Sequence, residues 1–334
     1  MKNSRPISAL RRDFRQGVLD FLWRQWVQLG VSGALGGRDR WSIDPEALLI
    51  YSLKPARRDP RLFDEILDWL VVNGSLLSTQ RLRNLLDHRE EPVLHASLAW
   101  AAAHGAAQFR TWQRVRPYPT SEPQHILEVD GQPLLIENRD PIFESFGLLR
   151  PLAERSGKSQ APDPSPPANL AVRLRLLFGV GARAEIIRFL LTAGEGVSTR
   201  NVADAAAYAR RNIADALTAL ETAGVIASVR HGRVREWRTD RAQWASLFGL
   251  DALDLPRFID WSRLFRAMEA LDLWLEADAA ASDYLRTSTA RRLLESIHDD
   301  LMAASIRVPA QRDAATALAC LDRVIEALLE FLGS

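Results

Sequence analysis

The feature that most constrains the fold lies in residues 183–240, where three amphipathic helical patterns precede two β-prone runs. The third pattern carries apolar residues at the i, i+4 and i+7 spacing of one buried helix face, and these are Ile213, Leu217 and Leu220. Gly224, a residue type common at helix ends, follows, and the β-prone runs then flank His231 and Gly232. The order helix–helix–helix–hairpin is therefore predicted.

This segment resembles the winged helix-turn-helix transcription regulators of the ArsR and MarR kind. The resemblance is carried by VSTRNVADAAAYARRNIADALTALETAGVIASVRHGRVREW, residues 197–237. Ser198 is a natural N-cap for the second helix, a turn lies near Tyr208, and the third helix ends before the wing. The resemblance implies a third helix in the major groove of double-stranded DNA and a wing, residues 225–238, on its backbone or minor groove.

The polar residues of this unit suit that role. The start of a recognition helix reaches base edges, where arginine can bond guanine and asparagine can pair with adenine, while arginines on a wing suit phosphates. The predicted DNA-binding residues are Arg200, Arg210, Arg211, Asn212, Asp215, Thr218, Arg230, Arg233, Arg235 and Arg238. Because the chain has only three lysines among 43 basic residues, a solvated face decorated with arginine is the alternative interpretation.

A second helix-turn-helix unit of similar design is also predicted from an internal repeat, the alternative being a chance similarity of two amphipathic helix pairs. Residues 66–86 align without a gap on residues 186–206, at an offset of 120 positions. In the first copy, the third helix is expected to begin with Glu90 and Glu91, whose carboxylates phosphates would repel. We therefore predict a degenerate winged-helix-like unit used for packing or partner contact, with the hairpin at Asp130-Gly131 as the relic of its wing.

The predicted fold is mainly α with small β-hairpins, comprising tandem winged-helix-like units and a C-terminal helical region. Residues 1–150 form the N-terminal domain with the degenerate unit, and 151–170 are a Pro/Ser-rich exposed linker. Residues 171–250 form the winged helix-turn-helix domain, and 251–334 form a helical domain for dimerisation or partner binding.

A homodimer is predicted because a single winged helix covers only a short half-site. The final residues carry an apolar stripe with alternating steps of three and four, typical of a helix–helix seam: Leu318, Leu321, Ile325, Leu328 and Leu332. Residues 251–334 have a net charge of −6, which would keep this region off DNA phosphates. The same helices could instead close a monomeric core.

No catalytic cluster, cofactor motif or metal-ligand spacing is predicted. The sequence GVGARA, residues 179–184, has the glycine spacing of a dinucleotide loop but lacks the βαβ context that such a loop needs. Asp130, Glu137 and Asp140 lack the lysine expected of a nuclease site. No apolar run is long enough to span a membrane, and the single cysteine suits a reducing cytoplasm, which is the expected location.

The function expected from the sequence is sequence-specific binding of double-stranded DNA by a transcription regulator that acts as a repressor, and no enzymatic activity is expected. The alternative is an antitoxin-type or adaptor protein that binds a toxin or another operon product and also represses its own operon.

Overall fold

The computed structural model describes residues 5–34, 40–114, 122–194, 196–232, 234–277, 283–306 and 317–333. It is mainly helical with small sheets, as the sequence predicts. The chain divides into two compact units. Residues 1–24 group with 259–334, and residues 25–258 form the larger unit. This division differs from the domain limits proposed from the sequence, because the start of the chain groups with the C-terminal helices.

The smaller unit consists of long helices: α1 Ile7–Gln28, whose last turn belongs to the larger unit, α12 Trp261–Glu276, α13 Asp283–Ala303 and α14 Ala317–Gly333. Phe21 of α1 packs on the ring of Trp261, with centroids 5.6 Å apart. A Cβ on Gly17 would lie 2.3 Å from Leu329 Cδ2, so this glycine permits the close approach of α1 and α14.

This packing bears on the predicted interchain seam. Leu321, Ile325, Leu328 and Leu332 are buried, and α14 contacts α1 and α12 of its own chain. The stripe at the end of the sequence therefore closes an intrachain core, and its regular spacing reflects an amphipathic helix rather than an exposed coiled-coil face. The seam assignment was wrong, whereas the oligomeric state is a separate question.

The first part of the larger unit contains the first copy of the repeat. Its helices are α2 Pro45–Ser52, α3 Pro60–Asn73, α4 Thr79–Leu86, α5 Pro92–Ala103 and α6 Pro141–Ser145. Its short strands are β1 Gln124–His125, β2 Glu128–Val129, β3 Gln132–Pro133 and β4 Leu148–Leu149. Asp44, Asp59 and Asp140 each cap the helix that follows, with proline as its first residue.

The hairpin expected at Asp130-Gly131 is present, because both residues have positive φ and β2 pairs antiparallel with β3. It does not follow α5 directly. Two short 3-10 helices, at 107–109 and 112–114, come after α5, and the hairpin lies beyond β1. Its place in the chain thus differs from that of the hairpin in the second copy.

The second part of the larger unit contains the second copy. Its helices are α7 Leu170–Phe178, α8 Ala182–Thr192, α9 Thr199–Ala206, α10 Arg210–Thr222 and α11 Arg241–Leu247. Its strands are β5 Val197–Ser198, β6 Ala227–His231 and β7 Val234–Arg238, which form one antiparallel sheet in the order β5-β7-β6. The sequence patterns predict helices at about 183–192, 199–206 and 209–222 and a hairpin at 225–238, and the observed bounds lie within about two residues of these.

Helices α4 and α9 share three backbone features. Helices α4 and α9 have 8 residues each and begin 120 positions apart, after the N-cap serines Ser78 and Ser198. Both helices end in a residue with left-handed backbone conformation, Asp87 and Ala207. A shared turn geometry therefore accompanies the shared sequence pattern.

Residues 151–170, expected to be an exposed linker, are exposed at fewer than half of their positions, and hydrogen bonds hold them to other parts of the larger unit. The backbone N–H of Gln160 donates to the Gly30 carbonyl at 2.8 Å, and the Gln160 carbonyl accepts from Asn73 Nδ2 at 2.8 Å. The buried carboxylate of Asp68 accepts from the backbone N–H groups of Gly157 and Ser159. Buried polar partners therefore hold a segment whose composition alone resembles a flexible linker.

Candidate nucleic-acid interface

The turn between α9 and α10 positions the candidate DNA-binding residues. Ser198 and Asn201 form a reciprocal capping box at the start of α9. The chain then turns through Ala207, whose φ is 54°, a left-handed conformation that is uncommon for a residue other than glycine. Helix α10 begins three residues later, at Arg210.

Helix α10 has one buried and one exposed face. Ile213 and Leu217 are fully buried and Leu220 is nearly so, and they pack with apolar residues of α8 and α9 in the core of this part of the unit. The polar residues predicted to meet DNA on this helix are all exposed: Arg210, Arg211, Asn212, Asp215 and Thr218. Because the apolar face of α10 is buried, the two guanidinium groups and the amide at the start of the helix are exposed to solvent.

Asp215 also lines a groove beside α8. The groove has a volume of about 390 Å³, and its other lining residues include Phe178, Val180, Arg183, Ala216 and Ala219. Its lining is mainly apolar, and Arg183 is its only basic lining residue. The outer face of α10 is therefore continuous with a shallow, mostly apolar depression.

The β6–β7 hairpin is tied to α9 and α10. Trp237 of β7 is buried, and its indole Nε1 donates to Thr199 Oγ1 at 2.9 Å. The Arg235 guanidinium lies over the Trp237 ring, donates to Ser228 Oγ and forms an ion pair with Glu221 of α10. These contacts hold the hairpin against α10. They also neutralise the charge of Arg235 with the carboxylate of Glu221.

The other predicted site residues differ in position. Arg200 is exposed on α9, with its Nε 3.6 Å from Asp204 Oδ2. Arg230 and Arg238 are exposed on β6 and β7. Arg233 lies outside the described residues. The structure thus brings five residues together on α10 and spreads the remaining described arginines over α9 and the hairpin.

A buried charge cluster, which the sequence analysis missed, joins the two copies. It consists of three carboxylates and three guanidinium groups, each no more than 6% exposed: Asp44, Glu46, Arg81, Arg175, Glu185 and Arg188. Arg175 Nη2 lies 2.7 Å from both Glu46 of α2 and Glu185 of α8, and Arg81 of α4 is paired with Asp44 and Glu46. Each charge has an opposite partner, which buried ions need.

Electrostatics within the cluster favour the ionised carboxylates. Burial by itself would raise the pKa of Glu185, but the charges of Arg188, Arg175 and Arg81 outweigh burial and lower the pKa to about 2. Burial likewise opposes ionisation of Asp44, and Arg81, by charge and hydrogen bonds, lowers the pKa of that carboxyl well below its usual range. A sequence signal was available, because Arg175 and Arg188 each have apolar neighbours on both sides in the sequence, within 174–177 and 186–191.

Helix α4 also contacts the turn that leads into α10. Three hydrogen bonds make this contact: Arg81 Nε to the Ala206 carbonyl at 3.0 Å, Asn84 Nδ2 to the Ala207 carbonyl at 2.8 Å, and one between Ser78 Oγ and the Tyr208 hydroxyl at 2.8 Å. The second helix of one copy therefore holds the helix-turn-helix turn of the other.

The third helix of the first copy is buried. Helix α5 packs against α3, α6 and the two 3-10 helices, and most of its residues are inaccessible. It begins at Pro92, after both acidic residues, because proline suits the first helical position and disfavours helix in the residue before it. Glu91 instead accepts a hydrogen bond from Lys54 Nζ at 3.0 Å.

Two searches of the described residues were negative. No helix there is both long and apolar enough to cross a membrane. No group of three or more His, Cys, Asp or Glu side chains is arranged to hold a metal ion. Comparison with known proteins gave no match to a family model, a curated protein or a solved structure.

Proposed function

We propose that the protein is a sequence-specific double-stranded DNA-binding transcription regulator, with residues 182–238 as its winged helix-turn-helix. The order of α8, β5, α9, α10, β6 and β7, with the sheet order β5-β7-β6, supports this proposal. In such a unit α10 is the recognition helix and the β6–β7 hairpin is the wing.

The observation that carries the proposal is the exposed start of α10. Arg210, Arg211 and Asn212 are consecutive, solvent-exposed and followed at once by the buried Ile213. Arginine and asparagine are the side chains that bond most specifically to guanine and adenine in the major groove. A helix that is fixed along one face and carries these groups at its N-terminal end fits base recognition.

The wing and α9 supply the phosphate-binding part of the proposal. Arg230 and Arg238 are exposed on the hairpin, and Arg200 is exposed on the first turn of α9. Exposed arginines suit phosphate oxygens, and such contacts position a protein on the duplex without reading its sequence. Arg235 has a supporting role instead, because it already pairs with Glu221.

The experiment that tests the proposal compares two double substitutions. DNA selected from a random duplex pool by the wild-type chain serves as the probe. Arg210→Ala/Arg211→Ala should lose at least about tenfold in affinity, since each base contact contributes about 1–3 kcal/mol. Arg291→Ala/Arg292→Ala removes two adjacent exposed arginines from α13 and is the matched control. Equal affinity of the two variants, both folded, would remove α10 from the interface.

A homodimer remains part of the proposal, because one recognition helix covers a half-site and two-fold pairing supplies the rest. Its interface cannot be the α14 stripe, which is buried within the chain. Light scattering of the chain with selected duplex should give two chains per duplex. One chain per duplex would show that the monomer binds the selected DNA, and the homodimer would then be wrong.

A second candidate function is that of an antitoxin-type or adaptor protein. It is favoured by apolar side chains exposed on α7 and α11: Leu176 at 63%, Leu177 at 58% and Leu247 at 69%. Exposed apolar side chains that lie together in one patch are typical of surfaces that meet protein. Co-expression with the product of the adjacent gene would test it, and a complex lost in Leu176→Asp/Leu247→Asp would support it.

A further inference from the structure

The contact between α4 and the turn before α10 has a consequence for the first copy. Because three hydrogen bonds connect α4 with residues 206–208, and α10 begins at Arg210, α4 adjoins the base-reading end proposed for α10. The buried charge cluster fixes this arrangement, since Arg81 belongs both to α4 and to the cluster.

The solvent-facing edge of α4 near this turn is polar. Gln80 and Asn84 are exposed and one helical turn apart, and Gln80 Nε2 donates to Asn84 Oδ1 at 2.9 Å. Asn84 donates in turn to the Ala207 carbonyl at 2.8 Å. Gln80 Nε2 therefore lies no more than about 8 Å from that carbonyl.

The charge of this edge is compatible with DNA. Helix α4, TQRLRNLL, has no acidic residue, unlike the approach to α5 with Glu90 and Glu91. Duplex DNA carries one negative charge for about every 1.7 Å of its axis, so a duplex seated on the start of α10 brings phosphates past neighbouring surfaces. A glutamine amide is a suitable donor to a phosphate oxygen.

We infer that Gln80 contacts a DNA phosphate beside the half-site read by α10, so that the first copy joins the interface through its second helix rather than its third. The inference rests on the proposed function. In this inference α4 contacts the DNA, and the charge cluster keeps α4 in a fixed position beside the start of α10.

The test changes the charge at Gln80 in both directions. With duplex selected from a random pool by the wild-type chain, Gln80→Glu should weaken binding about tenfold and Gln80→Arg should strengthen it severalfold. Because each phosphate neutralised by a lysine or arginine adds about −0.9 to the slope of log affinity against log salt, and a neutral glutamine adds nothing, Gln80→Arg should also steepen that slope by about one. A packing role for Gln80 would not produce opposite effects of opposite charges.

The matched controls are Gln132→Glu and Gln132→Arg, at an exposed glutamine of the β2–β3 hairpin. They make the same net-charge changes and should alter affinity less than twofold. If the Gln80 variants behave like the Gln132 variants while Arg210→Ala/Arg211→Ala loses binding, the inference is wrong and the proposed function stands. If the wild-type chain selects no duplex, both are wrong.

Discussion

The third helices of the two copies, α5 and α10, occupy equivalent places in the repeat but have opposite burial. Helix α5 has 12 residues, none of them Asp, Glu, Lys or Arg, and most of them are buried. Helix α10 has 13 residues, of which Ile213, Leu217 and Leu220 are buried. One helix-turn-helix pattern thus supports a core helix in one copy and a surface helix in the other.

The burial of each third helix matches the elements that pack against it. In the first copy α6 and two 3-10 helices pack on α5, whereas in the second copy the chain turns at Gly224 into a hairpin that leaves the polar face of α10 free. A helix that is apolar all round requires burial, and an amphipathic one requires only a single covered side. The third helices therefore differ in exposure because they differ in their pattern of apolar residues.

The largest predicted difference between α5 and α10 is the loss in free energy of unfolding when a lysine is placed on each helix. Ala101 of α5 is fully buried, and Ala219 of α10 is exposed. Ala101→Lys should lower the free energy of unfolding by more than about 4 kcal/mol, because it buries an unpaired charge. Ala219→Lys should change it by less than about 0.5 kcal/mol. Urea unfolding followed by tryptophan fluorescence measures both, and similar losses would show that both helices are core elements.

The next effect compares equivalent residues in α4 and α9. Arg81 and Asn201 are both the third residue of their helix, and each backbone N–H bonds to the N-cap serine. Arg81→Met should cost about 3–5 kcal/mol, since it leaves three buried carboxylates with only two guanidinium groups of the cluster to neutralise them. Asn201→Ala should cost about 1 kcal/mol, the value of a capping contact. A loss of under about 1 kcal/mol for Arg81→Met would show that the cluster does not depend on this arginine.

The smallest expected effect is the acid dependence that the charge cluster confers. Glu185 has a pKa of about 2 in the folded protein and an ordinary value of 4.5, so its contribution is present above pH 4.5 and is lost as the pH falls towards 2. That loss is about 3 kcal/mol. The difference in free energy of unfolding between the wild type and Arg81→Met should accordingly narrow at acidic pH. The reason is that the cluster of the variant, with three carboxylates and two guanidinium groups, becomes protonated. A gap that stays constant from pH 7 to pH 3 would contradict ionised carboxylates in the cluster.

Local sequence patterns were enough for the elements of the second copy. Apolar residues at helical spacing, N-cap residues and a glycine at the end of α10 predicted three helices and a hairpin. The observed boundaries agree with those predictions within about two residues. The same patterns predicted that the polar side of α10 is exposed. These properties depend on interactions within a few residues of each other, which a single sequence displays directly.

What the sequence determined by itself was therefore local: the repeat, its helices, the turn at Asp130-Gly131 and the two-sided character of α10. Only the tertiary structure decided that residues 1–24 group with the C-terminal helices, that the α14 stripe is buried within its own chain, and that Arg81 of one copy holds the turn of the other. The physical reason is distance along the chain. Arg81 and Ala206 are 125 positions apart, and no local periodicity reports which of many amphipathic faces meet or which buried charges find one another.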